Sequence, residues 1–179
     1  MKAYLPALLL LGLSFTACEK DDPDVNPPQE VITTLIYTLT PDGGGDAVSF
    51  TFRDLDGEDG NAPVITTMPL AANTTYDGTI SLLNEQADPT EDITAEIREE
   101  DEEHQFFFTS TVDGTSVSYD DTDEDGLPTG LRTTVTTGDA GSGTLTVVLR
   151  HEPTKNADGD LNAAGGETDI EVDFPLVVE

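Results

Sequence analysis

Alternation of apolar and polar residues is the feature that most constrains how this chain folds. In the segment AVSFTFRD, Val48, Phe50 and Phe52 alternate with polar or charged residues. The segments GTLTVVLRH and TDIEVDFPLVV repeat the same period, although Val148 interrupts the polar set of the first of these. A period of two places alternate side chains on opposite faces of a β-strand, so these three segments are predicted to be strands.

Six weaker runs of the same kind are rich in threonine, valine and phenylalanine and are separated by glycine, aspartate, asparagine and proline. They are VITTLIYTLT, PVITTM, TYDGTISLL, HQFFFTS, TSVSYD and LRTTVTT. Strands with one polar face belong to antiparallel sheets, and two such sheets bury their apolar faces by packing on each other. The sequence therefore predicts an all-β antiparallel sandwich, immunoglobulin-like or related, over residues 31–179.

One segment, DPTEDITAEIREEDEE, predicts a short helix instead. Asp88 is placed as its N-cap and Pro89 as its first helical residue, while Ile93 and Ile97 lie one turn apart on one face. The segment ends in five consecutive acidic residues. The negative end of a helix disfavours such charges, so either the helix stops early or a positive group lies there.

The charge of the chain narrows the classes of partner. With 37 acidic and 7 basic residues, the formal net charge is −30. Such a surface repels nucleic acid and anionic lipid head groups, which excludes nucleic acid as a partner and leaves divalent cations or basic molecules. A solvated acidic coat is the simpler interpretation of the same charge.

The N-terminus, MKAYLPALLLLGLSFTAC, reads as a secretory signal peptide over residues 1–17, followed by the single cysteine of the chain, Cys18. One cysteine excludes an internal disulfide or a paired-cysteine metal site. The stretch before Cys18 resembles the bacterial lipobox, with Phe15 in place of the common leucine. The resemblance implies cleavage before Cys18 and attachment of a diacylglycerol, whose two chains suffice for stable membrane anchoring.

The following residues, CEKDD, resemble the surface-export signal of Bacteroidota lipoproteins, carried here by Cys18, Lys20, Asp21 and Asp22. Later stretches such as EHQFFF and GGETDIEV resemble small lipoproteins of the same bacteria. The resemblance implies an outer-membrane lipoprotein that is exposed on the cell surface. Residues 18–30 are rich in proline and charge and are predicted to form an extended tether between the lipid and the folded domain.

Three acidic loops are candidate calcium sites, since calcium takes six to eight oxygen ligands and glycine permits the tight turn. The loop DDTDEDG resembles the start of an EF-hand-like or thrombospondin-type calcium loop, although Arg132 stands where an EF-hand carries its bidentate glutamate. The alternative is that aspartate, asparagine and glycine are ordinary turn residues. The candidate ligands are Asp121, Asp123 and Asp125, then Asp54, Asp56, Asp59 and Asn61, and finally Asn156, Asp158, Asp160 and Asn162.

The two histidines of the chain, His104 and His151, form a second candidate site. Each stands at a predicted strand edge and, by alternation, on the apolar face of its strand. Paired imidazoles can bind zinc, copper or haem iron. Whether these two are neighbours is left open by the sequence, and a solvated or hydrogen-bonded histidine is the alternative.

Motifs of enzyme chemistry such as GxSxG, HExxH, a P-loop or GxGxxG are absent from the sequence. The sequence therefore favours a non-catalytic binding or adhesion module that is held to the membrane by lipid and stabilised by calcium. Its partner would be an extracellular ligand or an outer-membrane receptor of the TonB-dependent class. The alternative function is the capture of a metal or haem through His104 and His151.

Overall fold

The computed structural model describes residues 30–57 and 60–179, which contain ten strands and two short helices. In chain order these are β1 Thr34–Pro41, β2 Val48–Arg53, β3 Val64–Thr66, β4 Thr75–Asn84, β5 Glu91–Asp92, α1 Ile93–Glu99, β6 His104–Ser110, β7 Ser116–Tyr119, β8 Arg132–Thr136, β9 Gly141–His151, α2 Leu161–Ala164 and β10 Glu167–Val178. The nine segments predicted as strands are confirmed, and the two-residue strand β5 adds a tenth.

The strands form two antiparallel sheets that pack on each other, as the sequence predicts. The larger sheet has seven strands in the order β3-β2-β1-β4-β8-β7, with β5 paired to β4, and the smaller has the order β10-β9-β6. A single parallel bridge between Leu70 and Val178 connects the segment before β4 to the end of β10. Antiparallel order follows from the short, glycine-rich connections and the half-polar strands.

The alternating apolar residues meet between the sheets. Tyr37 of β1 lies 5.8 Å from Phe108 of β6, and Phe50 of β2 lies 5.7 Å from Phe174 of β10, measured between ring centroids. Each fully buried side chain of this size contributes about 1.5–3 kcal/mol of transfer free energy. The predicted inner faces are confirmed, since Leu145, Val147 and Leu149 of β9 are all fully buried.

The interruption at Val148 has a structural reason. Val148 points to the opposite face of the smaller sheet, where it packs with Phe107, Ala164 and Leu161 in a separate apolar cluster. The single helical turn α2 supplies two of these residues and covers the outer face of β6 and β9. The sequence did not predict α2.

Helix α1 exists, but its predicted start was wrong. The N-cap is Asp92, whose carboxylate accepts a hydrogen bond of 3.1 Å from the amide of Thr94. Residues 85–89 form turns and bends, and Glu91 and Asp92 pair with β4, so the helix begins only after this short strand. Ile93 and Ile97 are buried, as predicted. Among residues 30–57 and 60–179, no helix has the length and hydropathy needed to span a bilayer.

Candidate metal centre

The structure brings His104 and His151 together. His104 begins β6 and His151 ends β9, and the two residues are directly opposite in the antiparallel register. Opposed side chains in such a pair share one face of the sheet at close distance. Their rings stack with centroids 4.8 Å apart and an interplanar angle of 7°, and they are 0% and 8% exposed. The question that the sequence left open is therefore answered in favour of a pair.

Carboxylates surround this pair. The Nε2 atom of His104 lies 3.4 Å from Glu30 Oε1 and 3.8 Å from Asp169 Oδ2. Nε2 of His151 lies 3.8 Å from Glu103 Oε2. The side chains of Glu30 and Asp169 are 11% and 0% exposed, so these carboxyl groups are largely removed from water. We call Glu30, His104, His151 and Asp169 the histidine cluster.

The tautomer of His104 follows from its other ring nitrogen. Nδ1 lies 3.0 Å from the backbone carbonyl oxygen of Glu100, and because a carbonyl only accepts, Nδ1 carries the proton. In the neutral form of the ring this tautomer places the lone pair on Nε2, and this atom has no hydrogen-bond partner among the described residues. A lone pair facing two carboxylates is repelled by them unless a proton or a metal cation lies between.

The donor atoms of three residues are close enough to share one cation. Glu30, His104 and His151 each offer an atom within 4.8 Å of the other two, and Glu103, His151 and Glu152 form a second, more exposed group. In a tetrahedral zinc site with bonds near 2.0 Å, ligand atoms lie about 3.3 Å apart. Imidazole lone pairs lie in the ring plane, so the stacked rings must rotate to share a metal.

Two of these residues were not predicted as site residues. Glu30 falls at the end of the predicted tether. Asp169 was predicted to lie on the wet face of β10 with Glu171 and Asp173. The ladder between β10 and β9 shifts register between Thr168 and Ile170, so Asp169 falls at this bulge, and its side chain is buried. Neither the contact of Glu30 nor the bulge has a signal in the period-two pattern.

The turn before β10 passes close to His151, at the end of β9. Gly166 has a φ of +71°, and a Cβ atom built on it would lie 2.4 Å from the carbonyl oxygen of His151. Only glycine therefore lets the turn before β10 pass against the end of β9 at this point. Gly166 fixes where β10 begins relative to His151.

In the loop of residues 121–126, the carboxylates are bound by the protein itself. Asp121 accepts amide hydrogen bonds from Gly130 (2.7 Å) and Arg132 (2.9 Å). Asp123 Oδ1 accepts from the amides of Asp125 and Leu127, at 3.0 and 2.8 Å. Asp125 itself is exposed. These bonds favour the turn interpretation over the calcium interpretation of this loop.

A lysine that sequence reasoning missed neutralises Asp123. Lys155 Nζ lies 2.6 Å from Asp123 Oδ2, with side chains 4% and 2% exposed, and it also donates to the carbonyl oxygen of Asp101. Burial raises the pKa of Asp123, but the hydrogen bonds from Lys155 and Leu127 outweigh it and hold that pKa below its usual range. A lone lysine in an acidic domain was the available signal, since the others are Lys2 and Lys20.

Lys155 also answers the question about the acidic end of α1. The helix stops at Glu99, before most of the acidic run, and Lys155 binds the carbonyl oxygen of Asp101 just beyond it. The helix therefore stops early, and a positive group also lies at its end.

The other two acidic loops also bind their own backbone. Asp54 Oδ1 accepts from the amide of Gly57 at 2.9 Å, and Asp56 Oδ2 accepts from both amide groups of Asn61. In the remaining loop the side chain of Asn156 forms hydrogen bonds with the backbone of Asp160. Asp160 is the N-cap of α2 and accepts a hydrogen bond from the amide of Asn162. Asp158 is exposed. Asp59 lies outside the described residues. Among the described residues, both groups of three side chains that could hold a metal ion include His151, and neither includes a residue of these loops.

The predicted anchor, Cys18 with Lys20, Asp21 and Asp22, also lies outside the described residues, so lipidation and surface export stay predictions. Comparison of the chain with protein-family models, curated proteins and solved structures finds no match.

Proposed function

We propose that this chain is a non-catalytic binding protein that holds one divalent transition-metal ion of the zinc class in the histidine cluster. The observation that carries the proposal is the Nε2 atom of buried His104, which has no hydrogen-bond partner among the described residues and faces the carboxylates of Glu30 and Asp169. A metal cation at this point would bind the lone pair and neutralise the carboxylates at the same time.

The donor set favours zinc over calcium and haem. Two imidazoles with one or two carboxylates suit zinc, whereas calcium takes oxygen ligands alone. A haem would need an open face beside its axial histidine, but His104 is fully buried and stacked on His151. A bare ion needs only rotation of side chains.

The anchor completes the proposal and rests on the sequence alone. A lipid on Cys18 would hold the protein at the outer membrane, where a captured ion could pass to a TonB-dependent receptor. Cys18→Ala should abolish incorporation of labelled fatty acid. Normal labelling of this variant would remove the anchor from the proposal and leave the metal site untouched.

The test of metal binding is calorimetric titration of the full-length protein with zinc, carrying Cys18→Ser so that no thiol contributes. Millimolar calcium in the buffer would occupy weak sites on the acidic surface. We expect one zinc ion per chain. His151→Gln and Glu30→Gln should each weaken its binding by at least about tenfold, because each removes a ligand.

The matched control is Asp125→Asn, which changes an exposed acid in a predicted calcium loop. It should bind zinc as the parent does. Equal zinc binding by the parent and by His151→Gln, with each variant folded by circular dichroism, would contradict the proposal. It would leave a buried proton, shared by His104 and the carboxylates, as the interpretation of the cluster.

A further inference from the structure

A cleft of about 590 Å³ lies between α1, β4 and β8, and its lining includes no residue of the histidine cluster. Arg98 of α1 and Arg132 of β8 line it together with polar side chains of β4 and the segment that follows β7. Both arginines are exposed. We call this the arginine cleft.

The pairing of the basic side chains makes these two arginines unusual. Five of the seven basic residues lie in the described part of the chain, and Arg53 there makes two bonds of 2.8 and 2.7 Å to Glu85. Lys155 is paired with Asp123, and Arg150 donates to the carbonyl oxygen of Gly166.

The guanidinium groups of Arg98 and Arg132, by contrast, have no hydrogen bond or ion pair to any other described residue. In a chain of net charge −30, carboxylates are abundant, so two arginines in one cleft without such a contact are unusual, and their guanidinium groups are available to an anion from outside.

The carboxylates of the cleft limit the charge of its ligand. Asp121 in the lining is already bound by two backbone amides, and Asp92 caps α1 through Thr94. Asp101 also lines the cleft. These three acids would repel a ligand with several negative charges more strongly than one with a single charge. A phosphate ester or a polyanion therefore fits less well than a monocarboxylate.

The lining also offers hydroxyl groups, beside the apolar side chains of Ile80, Leu83 and Leu131. Thr79, Ser81 and Thr122 line the cleft and are exposed, and no aromatic side chain is among the described lining residues. Hydroxyl and carboxylate groups bind the hydroxyls of a ligand, while the two guanidinium groups bind its carboxylate. We infer that the arginine cleft binds a small polyhydroxylated monocarboxylate of the sugar-acid class, independently of the metal proposed above.

The test is an NMR titration of the isotopically labelled full-length protein with three probes: glucuronate, glucose and inorganic phosphate. Glucuronate should bind saturably and shift the amide signals of residues in α1 and β8, while glucose and phosphate should bind at least about tenfold more weakly. Arg98→Gln and Arg132→Gln should each weaken glucuronate binding by about tenfold, because each removes a charged hydrogen bond.

Arg53→Gln is the matched control, since it makes the same change of charge at an arginine outside the cleft, and it should leave glucuronate binding unchanged. Three results would each overturn the inference: no saturable binding of glucuronate, tighter binding of phosphate than of glucuronate, or equal weakening by Arg53→Gln.

Discussion

The loop around Asp123 and the histidine cluster both gather buried carboxylates, but they differ in what neutralises them. In the loop, Lys155 and two backbone amides bind Asp123. In the cluster, the Nε2 atom of His104 faces Glu30 and Asp169 with no hydrogen-bond partner among the described residues. Density of acidic residues therefore does not distinguish the two places. The cluster differs in having a buried ring nitrogen without a hydrogen-bond partner among the described residues, and the proposed metal site rests on that difference.

The largest effect should come from removing Lys155, which neutralises the buried carboxylate of Asp123. Lys155→Met should lower the free energy of unfolding by about 3 kcal/mol, because it leaves the carboxylate of Asp123 buried without its cation. Urea denaturation at pH 7 measures this loss. Adding Asp123→Leu to the same protein should recover part of the loss. A loss below about 1 kcal/mol would mean that the pair is solvated and not structural.

In the histidine cluster, removing a charge should instead raise the free energy of unfolding. Glu30→Gln in metal-free protein should raise the free energy of unfolding by up to about 1 kcal/mol, because the new amide can donate to the bare Nε2 of His104. The same denaturation experiment, with a chelator present, measures it. A loss of more than about 1 kcal/mol would show that Glu30 already shares a proton with His104, which would remove the basis of the comparison.

A smaller effect is expected at the exposed pair of Arg53 and Glu85. The hydrogen bonds from Arg53 and then Thr34 lower the pKa of Glu85 to about 2, against 4.5 for an ordinary glutamate. Because the folded-state pKa is the lower one, the stabilisation is present above about pH 4.5 and is lost as the pH falls toward 2.

The stability difference between the parent and Glu85→Gln should therefore shrink between pH 6 and pH 2.5, as measured by denaturation midpoints. The change should be modest because the pair is partly exposed and solvent screens it. A difference that does not depend on pH would show that this ion pair does not form in solution.

The smallest effect should be that of calcium on the acidic loops. Because Asp54, Asp56, Asp121 and Asp123 are bound by amides or by Lys155, millimolar calcium should leave the melting temperature of the metal-free protein unchanged within about 1 °C. A rise of several degrees would restore the calcium prediction of the sequence and show that carboxylates alone suffice.

The strands were predictable because residues at alternate positions, such as Val147 and Leu149, are apolar and are buried in the sandwich. The start of α1 was not, because hairpin pairing of Glu91 and Asp92 with β4 outweighs a favourable local cap at Asp88. Local propensity is a weak prior wherever tertiary pairing competes with it.

The two histidines of the candidate site could be predicted from the sequence, but its carboxylates could not. Alternation placed His104 and His151 on the apolar faces of their strands, but only the register between β6 and β9 makes them opposite. Glu30 and Asp169 depend on a chain crossing and on a bulge, for which the sequence pattern carries no signal. Lys155 was detectable only as an isolated lysine among acids.

The most direct test of the account is zinc K-edge X-ray absorption on the full-length protein loaded with one equivalent of zinc. The account predicts two imidazole nitrogens at about 2.0–2.1 Å, identified by the outer-shell scattering of their rings, together with carboxylate oxygen. A spectrum with oxygen ligands alone would show that zinc binds the acidic surface. It would contradict the claim that His104 and His151 form the site.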